Sequence, residues 1–343
     1  MELRFAFVGF GNVARAFARM LHANEQRLGV ELGLRWRTTA IATANHGCVV
    51  AGPGGINLDD AARLSETSGS LLELPGTIDA GDSEALISRC EADVIFETTP
   101  LNPENGEPGI GLIRAALDRR INVVTANKGP LAFAYRELQE LAASRRVSFR
   151  FEGAVMDGAP VFNLLERCLP AVKVLGFEGV LNSTTNHILT GMELGRSFDE
   201  CVIEAQRLGI AEANPDYDID GWDAAVKAVA LANVLMGADM RPSQVERRGV
   251  RDITSGQLKA AAEKDCVIRL LARASTSEDR LKLTVAPEAV PRSSPLGAAR
   301  GMTNVLLLRT DLMGELAICE IDPGIEQTAY ALLSDLLAIH KIN

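Results

Sequence analysis

Near the amino terminus stands the stretch Leu3-Arg4-Phe5-Ala6-Phe7-Val8-Gly9-Phe10-Gly11-Asn12-Val13-Ala14, an apolar run that ends in a glycine-rich turn. An apolar pattern at helical spacing follows, and the order strand, glycine turn, helix is the context of a dinucleotide-binding GxGxx(G/A) motif. Gly9 permits the tight turn, Gly11 lets backbone N–H groups approach a pyrophosphate, and Ala14 allows close packing of the helix on the strand. The alternative is a glycine-rich turn without function. Because the glycine motif stands at the start of an α/β pattern, we favour a cofactor site at residues 9–14.

Strand and helix patterns alternate up to about residue 151. The predicted strands are residues 39–43, 93–100, 122–125 and 147–151, and the predicted helices are residues 109–119 and 135–144. This alternation predicts a parallel, doubly wound sheet whose ligands lie at the carboxyl ends of the strands. Thr98, Thr99 and Lys128 fall at such ends, and we therefore expect them to contact a cofactor. A loop lysine is usually a solvated surface group, so it is the position of Lys128 that makes it a candidate.

The second predicted strand bears on the choice of cofactor. A site for NAD usually places an aspartate or glutamate ~20 residues after the glycine motif, where it binds the ribose hydroxyls. Here the strand ends in Thr43-Ala44-Asn45-His46-Gly47, which contains no acid. Nothing in this segment would repel a 2′-phosphate, and Asn45 or His46 could form a hydrogen bond with it. The sequence thus favours NADP and leaves NAD open.

The composition excludes several classes of function. A length of 343 residues accommodates two domains of ordinary size, and a net charge of −10 argues against binding to nucleic acid or to an anionic membrane surface. No apolar run approaches the ~20 residues that a membrane-spanning helix needs, and the amino terminus is a strand and turn rather than a signal peptide. The six cysteines are scattered without a CxxC pair. This pattern indicates core thiols in a reducing cytoplasm rather than a disulfide or zinc framework.

A second informative stretch is Gly209-Ile210-Ala211-Glu212-Ala213-Asn214-Pro215-Asp216-Tyr217-Asp218-Ile219-Asp220-Gly221-Trp222-Asp223-Ala224-Ala225-Val226-Lys227, which leads into an apolar helical run. Asp220 stands where a helix N-cap is expected, with Asp223 three residues later as in a capping box. Asp223 and Lys227 are four residues apart, within reach of each other on one helical face. A half-buried lysine held by a carboxylate can transfer a proton. The alternative is an exposed ion pair on the helix surface, but the neighbouring acids favour a polar site.

The second half of the chain lacks regular alternation of strands and helices. Residues 152–160 read as a strand end with small residues that enters a helix, and residues 176–189 read as a strand, a polar turn and a helix start. Further predicted elements are a helix at 198–208, strands at 281–285, 305–310 and 316–321, and a closing helix at 328–339. Strands that follow helices without βα order predict an α+β domain.

The chain resembles the homoserine dehydrogenase family. The matching segments occur in order: the glycine turn at 9–14, Thr-Ala-Asn-Lys-Gly-Pro at 125–130, the segment 152–160, Gly-Val-Leu-Asn-Ser-Thr-Thr-Asn-His-Ile-Leu at 179–189, and the acidic segment that ends at Lys227. The resemblance implies an α/β fold with a Rossmann-type doubly wound nucleotide-binding domain at 1–155, completed by about residues 320–343. It implies an α+β substrate-binding and dimerisation domain at 156–319. It also implies a homodimer of the short form, without a carboxyl-terminal regulatory domain.

The same resemblance implies a reaction and a role for individual residues. The expected reaction is the reversible, NAD(P)-dependent interconversion of L-homoserine and L-aspartate 4-semialdehyde, with Lys227 as the acid/base group and Asp223 and Lys128 as further catalytic residues. The amino-acid substrate is expected to bind to Glu212, Asp218, Asp223, Ser183 and Thr184. The cofactor is expected to bind to the glycine turn and to Thr98, Thr99, Lys128 and Gly324. A monovalent cation such as sodium is expected at Glu152, Val155, Asp157 and Ala159, largely through backbone carbonyls.

Several departures from the family pattern concern specificity. Ser183 replaces a usual glycine and Ile210 replaces a frequent tyrosine, both near the substrate. Asp157 replaces a small residue at the expected cation site, and Asp322-Pro323-Gly324 replaces a more glycine-rich cofactor turn. These departures leave open a related dehydrogenase acting on a different small amino or hydroxy acid, or a non-catalytic NAD(P)-sensing protein. The intact Lys227 argues against the last.

Overall fold

The structure, a computed structural model, describes residues 2–67, 69–277 and 280–341. The chain divides into two units, each with its own internal packing. The first unit extends to Pro160 and resumes at Gly324, and the second comprises Val161–Pro323. The domain boundaries expected from the resemblance, after residues 155 and 319, lie a few residues earlier in each case.

The first unit alternates strands and helices from its start. Its strands are β1 (Glu2–Val8), β2 (Arg35–Ala42), β3 (Cys48–Ala51), β4 (Thr77–Asp79), β5 (Val94–Glu97), β6 (Asn122–Thr125) and β7 (Phe149–Arg150). Its helices up to residue 145 are α1 (Asn12–Ala23), α2 (Glu25–Leu32), α3 (Leu58–Glu66), α4 (Ser83–Arg89), α5 (Gly109–Asp118), α6 (Gly129–Phe133) and α7 (Tyr135–Arg145). Asn57 and Asp82 start α3 and α4, because their side chains accept hydrogen bonds from backbone N–H groups of the first turn.

Within the described residues these strands form one sheet in the order β4-β3-β2-β1-β5-β6-β7. The strands from β2 to β7 in this order are parallel, as the alternation predicts. β3 and β4 are antiparallel, so the expectation of a parallel sheet is wrong at this edge. The reason is local: Thr43 N donates to Gly47 O at 3.1 Å, and this tight reversal brings β3 back beside β2 without a crossover helix. Because β1 lies between β2 and β5, the strand order reverses at its carboxyl end.

Phenylalanines from β1, α1 and β5 form the centre of the first unit. The ring centroids of Phe5, Phe7 and Phe17 lie 5.2, 5.1 and 4.7 Å from that of Phe96. All four side chains are fully buried. Burial of each contributes about 1.5–3 kcal/mol relative to an exposed side chain, so this cluster holds α1 firmly against the strands that flank the glycine turn.

The second unit mixes helices with mainly antiparallel strands. Its helices are α8 (Phe162–Cys168), α9 (Ser183–Glu193), α10 (Phe198–Arg207), α11 (Asp216–Ile219), α12 (Trp222–Leu235), α13 (Ser255–Ala262) and α14 (Pro295–Ala298). Its strands are β8 (Val174–Val180), β9 (Glu246–Arg247), β10 (Cys266–Ser277), β11 (Arg280–Pro291), β12 (Asn304–Thr310) and β13 (Glu315–Glu320). The chain then forms α15 (Ile325–His340), which belongs to the first unit.

The strands of the second unit form a sheet in the order β13-β12-β8-β10-β11-β9 within the described residues. All its pairs are antiparallel except β11 with β9, which agrees with the predicted α+β class. The sequence does not predict β10, because Arg269 interrupts its apolar run. Arg269 is nevertheless fully buried, since its guanidinium pairs with Glu193 and donates to Ala299 O at 2.9 Å.

Helix α15 packs against α1 in the core of the first unit. Ala329, Leu332 and Leu336 belong to the same buried apolar cluster as Phe7 and Phe17. The apolar spacing at 328–339 predicts this helix, which begins three residues earlier than expected. Like every other helix among the described residues, α15 is not long and apolar enough to span a membrane.

A buried carboxylate ties together the two loops that follow β5 and β6. Glu97, the last residue of β5, is 1% exposed. Its Oε2 accepts a hydrogen bond from Thr125 Oγ1 at 2.6 Å, and its Oε1 accepts from Thr99 N at 2.9 Å and from the Thr99 hydroxyl. Asn127 N donates in turn to Thr125 Oγ1 at 2.9 Å. Burial raises the pKa of Glu97, and the hydrogen bonds from Thr125, Thr99 and Asn127 oppose the rise.

The raised pKa predicts that Glu97 destabilises the first unit as the pH increases. A carboxyl group with a raised folded-state pKa stabilises fully below its unfolded-state pKa, and that contribution is lost as the pH rises through the folded-state pKa. We expect Glu97→Gln, which cannot titrate, to gain stability relative to the parent as the pH rises above the ordinary pKa of glutamate, by about 1.4 kcal/mol for each unit of raised pKa. Urea unfolding followed by Trp36 fluorescence in a Trp222→Phe background measures the change, because the chain has 2 tryptophans.

Glu91→Gln is the matched control for this measurement, since the Glu91 side chain is 77% exposed and loses the same charge. The free energy of unfolding of Glu91→Gln should change with pH in the same way as that of the parent. If the free energy of unfolding of Glu97→Gln also changed with pH as in the parent, Glu97 would have the same pKa in the folded and unfolded chains. The prediction would then be wrong.

Candidate active site

The glycine turn of the first unit is anchored to the strand on each side of β1. Gly9 N donates to Ala42 O at the end of β2 at 3.0 Å, and Gly9 O accepts from Thr98 Oγ1 after β5 at 2.8 Å. Gly9 has a φ of +85°, and a Cβ at this position would lie 2.7 Å from the carbonyl carbon of Thr98. Only glycine therefore fits, and the turn is fixed at the point where the strand order reverses.

The amino end of α1 presents backbone N–H groups without a side-chain cap. Gly11 precedes the helix as its N-cap, and among the described residues no side chain caps the first turn. A Cβ at Gly11 would meet no atom within 4 Å, so the packing of the protein does not require glycine there. Open space beside uncapped N–H groups is what a phosphate needs at a helix amino terminus. Ala14 is fully buried and Phe10 nearly so, which fits the close packing expected behind the turn.

Arg15 is a residue of this turn that the sequence reasoning missed. Its Nη1 donates to Phe10 O at 3.2 Å and its Nη2 donates to Asn12 Oδ1 at 2.7 Å. Glu66 lies 3.4 Å from its Nε. The sequence contains a signal for Arg15. It directly follows the GxGxx(G/A) motif and lies about one helical turn beyond Gly11.

The other expected cofactor residues of the first unit lie in the loops after β5 and β6. The Thr98 hydroxyl donates to the glycine turn, and the Thr99 hydroxyl donates to Glu97. Lys128 directly precedes α6 and is partly exposed. β5 neighbours β1 and β6 neighbours β5, so both loops lie at the same edge of the sheet as the glycine turn. Gly324, at the amino end of α15, donates its N–H to Gln327 Oε1 at 3.0 Å.

The loop after β2 determines which groups can meet a 2′-phosphate. Asn45 is exposed, and His46 N donates to Thr43 Oγ1 at 2.8 Å. His46 Nδ1 lies 2.8 Å from Gly69 O. Because a carbonyl oxygen only accepts, Nδ1 carries the proton, and neutral His46 presents an acceptor at Nε2. Asn45 therefore carries an exposed side-chain donor in this loop, whereas Nε2 of His46 is an acceptor.

The four residues expected to hold a cation lie in one short segment after β7. Glu152 begins a 3₁₀ turn and is 2% exposed, and Val155 and Ala159 are buried as well. Asp157 has a φ of +39°, and its Oδ1 accepts from Thr328 Oγ1 at 2.9 Å. In the part of the chain that the structure describes, no group of three or more His, Cys, Asp or Glu side chains could hold a metal ion. An ion here would therefore depend mainly on backbone carbonyls.

The helix that bears Lys227 begins differently from the expectation. α12 starts at Trp222 without a side-chain cap, and the preceding Gly221 has a φ of +81°. Asp220 is not the N-cap, and its carboxylate pairs instead with Arg251 at 3.3 Å. The left-handed conformation of Gly221 makes the turn between α11 and α12, so the glycine rather than the aspartate decides where α12 begins.

Asp223 and Lys227 form the expected ion pair on one face of α12. Lys227 Nζ lies 3.3 Å from Asp223 Oδ2, and the two side chains are only 13% and 8% exposed. The same Nζ donates to Leu181 O at 2.7 Å. The alternative of an exposed surface pair is therefore wrong, and the ammonium group is oriented by one carboxylate and one backbone carbonyl.

Asn182 joins the two aspartates of this cluster. Its Nδ2 donates to Asp218 Oδ1 at 2.7 Å and to Asp223 Oδ2 at 2.9 Å. Its Oδ1 accepts from Thr185 N at 2.8 Å, which makes Asn182 the N-cap of α9. The sequence reasoning missed it as a site residue, although asparagine before a helix start is the usual signal of a cap.

Burial and mutual repulsion act on the two aspartates, of which Asp223 is buried and Asp218 is partly buried. Burial raises the pKa of Asp218, and the charge of Asp223 raises it further. The hydrogen bond from Asn182, the nearby hydroxyl of Thr184 and the charge of Lys227 act in the opposite direction. Asp218 thus holds its proton to higher pH than an ordinary aspartate.

Tyr217 adds a phenol to the same surroundings. Its hydroxyl is buried and has no hydrogen-bond partner among the described residues. Burial raises the pKa of Tyr217, and the charges of Asp223 and Asp218 add to the rise. At neutral pH the hydroxyl is therefore a donor that faces two acidic neighbours.

The remaining expected substrate residues differ in position. Thr184 Oγ1 donates to Ile210 O at 3.1 Å, and Ser183 Oγ donates to Met302 O at 2.9 Å, so both hydroxyls are engaged within the second unit. Glu212 is exposed, and its carboxylate makes no hydrogen bond or ion pair within the described ranges. The structure thus brings Asp218, Asp223 and Lys227 together, whereas no hydrogen bond or ion pair of the described residues joins Glu212 to them.

The assembled cluster is suited to two chemical tasks. Two carboxylates and one ammonium carry a net negative charge when ionised, and they attract a ligand ammonium group. A largely buried lysine can exchange a proton with a hydroxyl or carbonyl oxygen and can stabilise negative charge on that oxygen. An α-amino acid with an oxygen on its side chain fits both tasks.

Comparisons with known proteins cover the whole chain. The sequence model of one family, described as homoserine dehydrogenase, matches residues 160–337. The NAD(+)-dependent homoserine dehydrogenase of Pseudomonas canavaninivorans is 37% identical over 342 residues, which cover 99% of this chain and 97% of that protein. The crystal structure of a putative homoserine dehydrogenase from Archaeoglobus fulgidus matches with a TM-score of 0.87 at 33% identity and covers 98% of this chain and 99% of that one. A hyperthermophilic archaeal homoserine dehydrogenase in complex with NADPH matches with a TM-score of 0.84 at 28% identity and covers 100% and 99% of the two chains.

The family match includes the whole segment from Asn182 to Lys227 that forms the acidic cluster. The relatives extend the likeness through the glycine turn to nearly the full length of the chain. Sequence, fold and full-length relatives agree, and the chain belongs to the homoserine dehydrogenase family.

Proposed function

We propose that the protein is an NAD(P)-dependent oxidoreductase that interconverts L-homoserine and L-aspartate 4-semialdehyde. Family membership supports the reaction. The NAD(+) dependence of one relative and the NADPH bound to another support a nicotinamide cofactor. We assign the nucleotide to the first unit, through its glycine turn, and the amino acid to the second.

The buried ion pair of Lys227 is the observation that carries this proposal. Its ammonium is held at 3.3 Å from Asp223 and at 2.7 Å from Leu181 O, and little of the side chain reaches solvent. An ordinary surface pair would be screened and mobile, whereas this ammonium is oriented. Asp218 stands beside it through Asn182 and supplies a second carboxylate for the α-ammonium of the substrate.

The residues divide the chemistry between them. When bound, the nicotinamide supplies or takes up the hydride. In reduction of the aldehyde, Lys227 donates a proton to the oxygen on which negative charge develops, and in oxidation it takes the hydroxyl proton. Asp223 orients Lys227, and Asp218 and Asp223 bind the substrate ammonium. Glu212 is assigned to the same ammonium.

The first unit fits a dinucleotide at its glycine turn. The uncapped N–H groups of α1 and the open space at Gly11 suit a pyrophosphate, and Arg15 adds a positive charge. Thr98, Thr99 and Lys128 are assigned to the nicotinamide end, because their loops lie at the carboxyl ends of neighbouring strands. We assign Gly324 to the cofactor as well.

A monovalent cation such as sodium is assigned to the segment 152–159. Glu152 and Asp157 supply carboxylates there, and the chain at Val155 and Ala159 supplies backbone carbonyls. The commitment of one Asp157 oxygen to Thr328 restricts that side chain to its other oxygen as a ligand. Oxygen donors of this kind suit a hard cation.

We place the protein in the cytoplasm. All six cysteines are free, but Cys168 and Cys319 are exposed, so the expectation that the cysteines are core thiols is wrong for these two. Exposed free thiols are typical of a reducing compartment.

We also propose a homodimer through the sheet of the second unit. Glu178 lies opposite Arg273 and Leu307, and Arg309 lies opposite Glu315, so these side chains share one face of the sheet. They line a cavity of about 160 Å³. A two-fold axis places the same surface on both subunits, and a surface with charges of both signs can pair with itself.

Lys227→Ala is expected to lower kcat for homoserine oxidation by ~10²–10⁴ or more, because it removes the acid/base group. Cofactor affinity, measured by fluorescence titration, should stay near that of the parent, since the glycine turn holds the nucleotide. Steady-state assay of NAD(P) reduction with homoserine and with other small amino and hydroxy acids tests the reaction itself.

Lys259→Ala is the control for Lys227→Ala, because Lys259 is exposed on α13 and should leave turnover unchanged. Retention of normal kcat in Lys227→Ala would remove the lysine from the mechanism. Faster turnover of another substrate would assign the protein a different dehydrogenase activity, and cofactor binding without any turnover would favour a sensor.

The parent enzyme is expected to prefer NADP to NAD, because the loop after β2 contains no acid to repel the 2′-phosphate. Asn45→Asp should change the ratio of kcat/KM with NADP to kcat/KM with NAD by at least tenfold in favour of NAD, about 1.4 kcal/mol. A carboxylate there repels the 2′-phosphate and can bind ribose hydroxyls. The exposed Asn214 of the second unit offers a control, Asn214→Asp, that adds the same charge elsewhere. A tenfold preference of the parent for NAD would contradict the prediction.

Arg309→Glu is expected to weaken the dimer at least tenfold, about 1.4 kcal/mol, because it reverses the sign of one exposed charge on the surface that we propose both subunits present to each other. Sedimentation equilibrium of parent and variant measures the dissociation constant. Ile203→Glu is the control, since Ile203 is 65% exposed on α10. A parent that sediments as a monomer, or a variant that dimerises like the parent, would rule out this surface.

A further inference from the structure

The hydrogen bonds of Asn182 fix the orientation of its amide. Thr185 N donates to Oδ1 at 2.8 Å, and the Thr185 hydroxyl donates to the same oxygen at 2.8 Å. A backbone N–H cannot accept, so the carbonyl oxygen of the amide must face α9. The NH₂ group then faces Asp218 Oδ1 and Asp223 Oδ2, at 2.7 and 2.9 Å. Each of its two hydrogens meets one carboxylate.

We infer that Asn182 is a positioning residue of the proposed reaction. Its amide clamps the carboxylates of Asp218 and Asp223 side by side and thereby holds Lys227 in place. The inference rests on the proposed function. Asp223 Oδ2 accepts from Asn182 and also lies 3.3 Å from Lys227 Nζ. Lys227 Nζ in addition donates to the carbonyl of Leu181, the neighbour of Asn182 in the chain. The segment 181–182 thus holds the lysine directly and its carboxylate through the amide.

The Asn182 clamp offsets the repulsion between the carboxylates of Asp218 and Asp223, which Lys227 alone does not remove. The charged and titratable groups at the clamp are Asp218 and Tyr217 from α11 and Asp223 and Lys227 from α12. One ammonium cannot neutralise two carboxylates, and the phenol of Tyr217 brings no positive charge. N–H groups that donate to a carboxylate favour its charged form. Asn182 supplies one to each aspartate without adding a charge of its own.

Asn182→Ser separates the clamp from the helix cap. Serine accepts from the first turn of α9 as well as asparagine does, but its single hydroxyl cannot donate to both aspartates. Asn182→Asp also keeps the cap and replaces the two donors by a third carboxylate. Ser197→Ala is the control for loss of a cap alone, since Ser197 caps the neighbouring α10 by accepting from Glu200 N.

The expected result is a kinetic defect without a matching loss of stability. In Asn182→Ser, kcat/KM for homoserine should fall about 10- to 100-fold, the size expected when one charge-assisted hydrogen bond is lost, since the serine hydroxyl can donate to only one of the two aspartates. In the pH profile of kcat/KM, the limb on the acidic side should move to higher pH for Asn182→Ser. The reason is that Asp218 and Asp223 hold their protons more tightly without the donated hydrogen bonds. Asn182→Asp should move the limb further in the same direction. Ser197→Ala should lower the melting temperature and leave the pH profile unchanged.

A second readout does not depend on turnover. Titration of the ¹³C carboxyl resonances of labelled aspartate, with Asp218→Asn and Asp223→Asn used for assignment, follows the pair directly. In Asn182→Ser the apparent pKa values of the pair should rise relative to the parent. If the parent oxidised no homoserine and the resonances still moved, the proposed function would be wrong and the clamp would stand.

Two outcomes would overturn the inference. In the first, Asn182→Ser has the pH profile and carboxyl titration of the parent, and Asn182 is then a helix cap only. In the second, Ser197→Ala reproduces the kinetic defect of Asn182→Ser, and the defect then reflects loss of stability rather than of positioning.

Discussion

The repulsion between two carboxylates in a largely buried setting is the constraint on which the second unit depends. Asp218 and Asp223 both approach the single side-chain nitrogen of Asn182 within 2.9 Å. Such a pair is unstable unless donors and a cation are held close by. α12 supplies the cation four residues after Asp223, and the start of α9 supplies the amide. The sharp turn at Gly221 is needed because α11 and α12 must present their aspartates to the same nitrogen.

The first unit meets a similar difficulty with different means. Glu97 is as buried as Asp223, but its hydrogen-bond partners in the described part of the chain are neutral donors, from Thr99, Thr125 and Asn127. Without a cation the carboxyl keeps a raised pKa, and its role is to connect two loops rather than to bind a ligand charge. The carboxylate of Asp223 has a lysine beside it, and we propose that it also binds the ammonium group of the substrate. The same functional group thus serves as a structural link in one unit and as part of a polar site in the other.

Sequence patterns predicted those parts of the structure that depend on neighbours along the chain. The glycine turn, the α1 helix and the Asp223–Lys227 pair depend on short spacings, and all three are found. The patterns failed where distant contacts decide: β10 contains Arg269, whose burial needs Glu193 and backbone carbonyls from residues nearly thirty positions away. Asn182 was missed for the same reason, because its partners Asp218 and Asp223 are 36 and 41 residues away. The N-cap expected at Asp220 failed because the backbone freedom of Gly221 outweighed a good capping side chain.

The exposed position of Glu212 follows from the same electrostatics. Asp218, Asp223 and Lys227 together carry a net negative charge when ionised, so a third carboxylate brought to this cluster would be repelled. Glu212 precedes α11 in an irregular segment, where the backbone does not hold it against that repulsion. The α-ammonium of an amino acid would reverse the sign of the interaction, since one more positive charge balances one more carboxylate. In the function that we propose, Asp218 and Asp223 therefore attract the substrate ammonium, and Glu212 adds its contact once that ammonium is bound.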